Sequence, residues 1–157
     1  MEVYTVAFIG HRTLDDLFRI EARLEEVIRK LLRSHEYVEF LVGRDGEFDQ
    51  AVSSSVRRMK RSVGDCNSSL VWVLSYPTAE YENNVDSFHE YYDEVEICEE
   101  SSKAHYKSAI QIRNRNMIDR ADLVVCFVNH PSGGAFTTLQ YAKKQGKEII
   151  NLAEEGA

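Results

Sequence analysis

The sequence predicts a single α/β domain over residues 1–157, built as three layers, with helices on both faces of a mainly parallel sheet of five strands. Three observations lead there. Short apolar runs alternate with stretches whose apolar residues recur at helical spacing. Several runs, Leu123 to Val128 above all, show no polar alternation, as expected of parallel strands covered on both faces. Three of the runs also lead into polar, mostly glycine-bearing turns: Gly10-His11-Arg12, Gly43-Arg44-Asp45-Gly46 and Ser132-Gly133-Gly134.

The first strand is expected over Val3 to Ile9, followed by a polar, cationic turn. Thr13 or Asp15 is expected to cap the next helix, with Leu14, Leu17, Phe18, Leu24, Val27, Ile28, Leu31 and Leu32 along one apolar stripe. Val38 to Val42 reads as the second strand. Phe48, Val52, Val56, Met59 and Val63 then mark a second helix, with Arg57, Arg58, Lys60 and Arg61 as its solvated face or, less in keeping with their place near its carboxyl end, a polyanion surface. Leu70 to Leu74 is the third strand, with Trp72 packing across the sheet. From Lys103 a helix carrying Tyr106, Ala109, Ile110, Met117 and Ile118 leads into the strand at Leu123. The last helix is expected over Ala135 to Gln145, with Gly146 as its C-cap, and the closing strand over Glu148 to Leu152.

Composition narrows the functional classes. A chain of 157 residues, 43% hydrophobic, is long enough to bury a core without staples. Cys66, Cys98 and Cys126 lack the spacing of a metal site, so free thiols and no metal are expected. Neither a membrane span nor a signal peptide is apparent, which predicts a cytoplasmic protein. The net charge of −7 is local in origin: Glu80 to Glu100 holds nine acids and no Lys or Arg, and outside it 17 acids stand against 19 bases. That segment also carries Tyr81, Phe88, Tyr91 and Tyr92, and is expected to form an ordered insertion at about 78–102, with a short helix and an extended piece near Val95 to Cys98.

In a parallel sheet the three polar turns share one edge, where ligands bind beside a switch in strand order. Glycines there admit close backbone approach, and a helix starting beside them favours an anion, so a phosphate is the expected guest. Arg113 is expected either to clamp that phosphate or to form a surface salt bridge. His11 is either a phosphate donor or acid, or a structural turn residue. Asp49 either caps the second helix or orients a ribose hydroxyl. His89, His105 and His130 are expected to be exposed. Neither GxGxxG nor GxxxxGK[ST] occurs, which disfavours an ordinary dinucleotide or P-loop site.

The chain resembles the Rossmann-like SLOG superfamily, which includes the DNA-processing protein DprA and the LOG phosphoribohydrolases, and is most similar to the YpsA-like branch. The resemblance rests on Gly10-His11-Arg12, on Gly43 through Asp49, on Arg113-Asn114 and Asn116-Met117 with Asp119 and Ala121-Asp122, and on Ser132-Gly133-Gly134 with Thr137-Thr138, Tyr141-Ala142 and Gly146-Lys147. It implies binding of a nucleotide or nucleotide-derived ligand by a homo-oligomer, commonly a homodimer. The expected ligand-binding set is Gly10, His11, Arg12, Gly43, Gly46, Asp49, Arg113, Asn114, Asn116, Ser132, Gly133, Gly134 and Thr137.

The LOG pattern, PGGxGT with a glutamate three residues after the threonine, is not preserved. Ser132 stands for its proline, Phe136 for its third glycine and Gln140 for the glutamate, and an amide cannot serve as the acid or base in N-glycosidic cleavage. Ligand sensing or carriage is therefore the leading expectation. Nucleotide hydrolysis, with Asp49 or Asp119 replacing the glutamate, is the alternative. Single-stranded DNA binding like that of DprA is a lesser alternative, since no basic stripe interleaved with aromatics is apparent.

Overall fold

The computed structural model describes residues 2–64 and 66–154. In chain order these form β1 (Val3–Gly10), α1 (Leu17–Ser34), β2 (Tyr37–Val42), α2 (Glu47–Val63), β3 (Ser68–Leu74), α3 (Ala79–Glu82), α4 (Val85–Tyr91), β4 (Glu94–Ile97), α5 (Glu99–Ser102), α6 (Tyr106–Arg120), β5 (Leu123–Phe127), α7 (Gly133–Lys144) and β6 (Glu148–Asn151). All strand pairs are parallel, in the order β4-β3-β2-β1-β5-β6.

The α/β class and the three layers agree with expectation, but the sheet has six strands, not five. The additional strand is β4, at the edge beyond β3. Its four residues alternate Glu94-Val95-Glu96-Ile97, a pattern an edge strand tolerates because one side of it faces water.

Side chains of the sheet divide between two cores. Val6, Phe8, Phe40, Val42, Leu70 and Trp72 pack under α1 and α2. Ala7, Ile9, Leu41, Val71, Val73 and Cys126 pack under α6 and α7, against Met117, Ile118 and Leu139. Burial on both faces explains why the strands read as apolar runs. The Cys126 thiol is pushed up to about 12 by that burial.

Local chemistry shifts some boundaries. Asp16, in place of Thr13 or Asp15, caps α1 by accepting from the Arg19 N–H at 3.2 Å. The helix therefore begins at Leu17, and Phe18 points outward, 86% exposed, instead of joining the stripe.

The basic face of α2 is also not simply solvated. Arg58 donates to Glu21 and Glu25 of α1, Arg57 lies 4.1 Å from the Tyr91 ring centroid, and Lys60 is buried against Asp93. Asp93 in turn accepts from the Leu70 N–H at 2.7 Å. Phe88 and Tyr92 pack on Trp72, with ring centroids 4.7 and 5.2 Å away. The acidic segment is thus stitched into the sheet edge. No helix among the described residues is long and apolar enough to cross a membrane.

Candidate functional site

After β1 the chain moves outward through β2, β3 and β4, then returns by α6 to place β5 on the other side of β1. The strand order therefore switches between β1 and β5, and a crevice opens at their carboxyl ends. A cleft of about 540 Å³ lies there, lined by the β1 turn (His11, Arg12, Thr13), Asp45, the first turns of α6 (Lys107, Ile110, Gln111, Asn114), His130 and the start of α7 (Gly133, Gly134, Ala135). Its size suits a nucleotide-sized guest.

Three groups give the cleft positive character. Arg12 and Lys107 are exposed, and among the described residues neither side chain makes an ion pair or hydrogen bond. The third is the amino end of α7, whose N-cap Ser132 makes no side-chain cap, so the first N–H groups stay available to a ligand. Gly133 takes φ +90°, a conformation that L side chains rarely adopt, and nothing lies within 4 Å of where its Cβ would be. There the glycine serves the turn itself.

His11 is buried and neutral in character. Its Nε2 accepts from the Asn129 N–H at 3.2 Å, which leaves the proton to Nδ1. Burial first, and the neighbouring His130 second, lower its pKa below 6.5. His130 stacks on it and is hydrogen-bonded through Nδ1 to Ser132 Oγ at 3.0 Å. The two imidazoles thus join the β1 turn to the loop after β5.

Beside this turn lies a buried polar knot. Arg113, 3% exposed, donates through Nη1 to the Val73 carbonyl (2.8 Å), through Nε to Asn114 Oδ1 (3.0 Å), and through Nη2 to the carboxylate of Asp45. Asn114 passes the chain on by donating to Thr138 Oγ1 at 3.2 Å. Asp49, at the third position of α2, accepts from the Asp45 N–H at 2.9 Å, so it braces the loop before the helix and is not its N-cap. Desolvation pushes its carboxyl up to about 6, against the lowering effect of that hydrogen bond and of Arg113 and Arg12.

Of the expected ligand set, His11, Arg12, Asn114, Gly133 and Gly134 line the cleft together. Arg113 is not a free clamp at the surface; its nitrogens hold protein groups and orient Asp45. The space beside Gly10, Gly43 and Gly46 is filled by the protein itself: the Phe48 ring, the Asp49 and Arg113 head groups, and the backbone of Arg12. Asn116 lies about half a helical turn away from Asn114 and accepts from Arg120. Ser132 is exposed at the rim, and Thr137 spends its hydroxyl on the Gly133 carbonyl. Thr138, not Thr137, faces α6, and Gln140 is exposed outside the cleft.

Lys107, Gln111, Asp45 and His130 line the cleft although none of them is in the expected ligand set. For Lys107 and Gln111 a signal existed: they lie seven and three residues before Asn114, on one helical face. A further cavity of about 540 Å³, between α1, α2 and α4, lies away from the strand switch; its one cation, Arg44, is already paired with Glu80. The crevice is therefore the stronger candidate.

No family model matches the chain, and no curated protein does. Solved structures do. The structure is similar to that of DNA processing protein A (DprA) from Streptococcus pneumoniae, with a TM-score of 0.68 and 15% identity over 94% of this chain and 49% of that one. It is also similar to DNA processing protein A from Helicobacter pylori, described for its unique mode of binding single-stranded DNA, with a TM-score of 0.64 and 17% identity over 96% and 67% of the two chains. The chain thus spans about half the length of the first. At this identity the likeness concerns architecture: the chain has the Rossmann-like fold of the DprA proteins.

Proposed function

We propose that this protein binds the phosphate end of a nucleotide in the crevice between β1 and β5, and binds it without turning it over. The observation that carries this reading is the meeting of two cations, Arg12 and Lys107, that make no ion pair or hydrogen bond among the described residues, with the uncapped amino end of α7 in one cleft of about 540 Å³. The hydrolase alternative finds little support there. Asp45 is the one carboxylate among the lining residues, and it is held by Arg113.

The test is calorimetric titration with the four ribonucleoside 5′-monophosphates against wild type and an Arg12→Ala/Lys107→Ala variant. Each charge-assisted contact contributes about 1.5–3 kcal/mol, so the double variant is expected to bind at least about 100-fold more weakly at an unchanged melting temperature. Equal affinities would remove the crevice as the phosphate site.

A second reading, single-stranded DNA binding, is favoured by the likeness to the H. pylori protein and by one local feature. Tyr106, 66% exposed, stands next to Lys107, an aromatic face beside a cation as stacking platforms require. A salt-dependent shift of a single-stranded oligonucleotide that disappears in Tyr106→Ala would support it.

A further inference from the structure

We infer that the nucleotide accepted by this crevice is a ribonucleotide, recognised through its sugar hydroxyls by the carboxylate of Asp45; the inference rests on the phosphate reading above. Asp45 is anomalous in its surroundings. It is the one acid lining a cleft whose other polar groups are cations, amides, two imidazoles, a hydroxyl and helix N–H groups, a placement that opposes anion binding unless the carboxylate meets something other than the phosphate.

Its environment holds it in position. Oδ2 is bound by the buried Arg113, and the Asp45 N–H donates to Asp49 Oδ2 at 2.9 Å. Oδ1 has no hydrogen-bond partner among the described residues, and the side chain is 33% exposed. A carboxylate fixed from behind with one oxygen open is an acceptor only, and the neutral donors of a nucleotide nearest its phosphate are the sugar hydroxyls.

Topology sets the separation. Strands β2, β1 and β5 are consecutive in the sheet, so Asp45 and Gly133 flank the β1 turn from opposite sides. The strands they follow, β2 and β5, are two strand spacings apart, roughly 10 Å. A 5′-nucleotide with its phosphate on α7 and its diol toward β2 bridges such a gap, with a hydrogen bond at each end. A 2′-deoxynucleotide keeps the 3′-hydroxyl but presents a C–H where the 2′-hydroxyl would donate to the open Asp45 oxygen.

The experiment is direct: AMP, GMP, CMP and UMP against dAMP, dGMP, dCMP and dUMP, titrated into wild type and into Asp45→Asn, which keeps an acceptor for Arg113 and turns an amide toward the sugar. Wild type is expected to prefer the ribonucleotides by at least about tenfold, and the ratio is expected to collapse toward one in Asp45→Asn. Should that variant fail to fold, the wild-type ratio decides alone. Equal affinity for both series overturns the sugar assignment while leaving the phosphate site standing. A ribose preference that persists unchanged in folded Asp45→Asn removes Asp45 from the role. Absence of binding by all eight nucleotides overturns both.

Discussion

The imidazoles of His11 and His130 lie parallel, with 3.7 Å between ring centroids and 6° between planes. A second positive charge in such a pair is disfavoured, and His11 is in addition desolvated, so its pKa falls below the ordinary 6.5. In the unfolded chain the same ring titrates near 6.5 and so binds more protons at mildly acid pH. Its contribution to stability is therefore complete above 6.5 and is lost as pH falls from there through the folded value.

In an NMR titration the His11 ring is expected to show a midpoint below 6.5 that moves upward in His130→Asn. A midpoint that stays put would leave desolvation as the sole cause.

Asp49 carries the opposite sign. Its pKa rises from 3.8 to about 6 on folding, so the folded state binds more protons between those values, and the stability it contributes is lost as pH rises through that window. The span corresponds to about 3 kcal/mol.

Asp49→Asn keeps an acceptor for the Asp45 N–H and cannot ionise. Relative to wild type, its unfolding free energy is expected to rise by about 1–3 kcal/mol between pH 4 and pH 7 in urea melts. A difference independent of pH would mean that Asp49 titrates normally.

Arg113 holds the crevice from beneath. Replacing it by methionine leaves the Val73 carbonyl without its donor and Asp45 without its counter-charge. Breaking a buried pair from one side costs about 3–5 kcal/mol, and Arg113→Lys, which cannot reproduce the three-way donation, is expected to recover only part of it. Chemical denaturation of the three proteins measures this. A loss below about 1 kcal/mol in Arg113→Met would show the knot to be dispensable.

The architecture was legible because strands covered on both faces leave apolar runs, and amphipathic helices such as α1 and α2 leave stripes. β4 was not legible as a main strand, since half its residues are glutamates, Glu94 exposed and Glu96 paired with Arg120 of α6. The site was legible in part for a related reason. Glycine turns mark where strands end, but a glycine does not say whether the space beside it belongs to a ligand or to the protein. At Gly43 a Cβ would meet Asp49 Oδ2 at 3.1 Å and the Arg113 guanidinium at 3.2 Å, so the missing side chain makes room for the knot. Likewise Arg113 and Asp45 are far apart in sequence, and only the fold shows that each neutralises the other.

Catalysis makes the last and sharpest demand on the site. Cleaving an N-glycosidic bond requires a carboxyl group that reaches the substrate, and such a group contributes on the order of 100- to 10,000-fold. Asp49, at about 6, has a pKa suited to acid–base work, yet it is 9% exposed, bonded to the Asp45 N–H, and absent from the cleft lining. Asp119 accepts from the Tyr141 hydroxyl at 2.6 Å near the far end of α6, away from the cleft. Gln140 is exposed on a face of α7 that the cleft does not include, so Gln140→Glu would place its carboxylate in solvent. Neither wild type nor Gln140→Glu is therefore expected to release adenine from AMP above the protein-free rate in a chromatographic product assay. Release by wild type that is abolished in Asp49→Asn would require Asp49 to reach the substrate, and with it a rearrangement of the loop from Gly43 to Gly46.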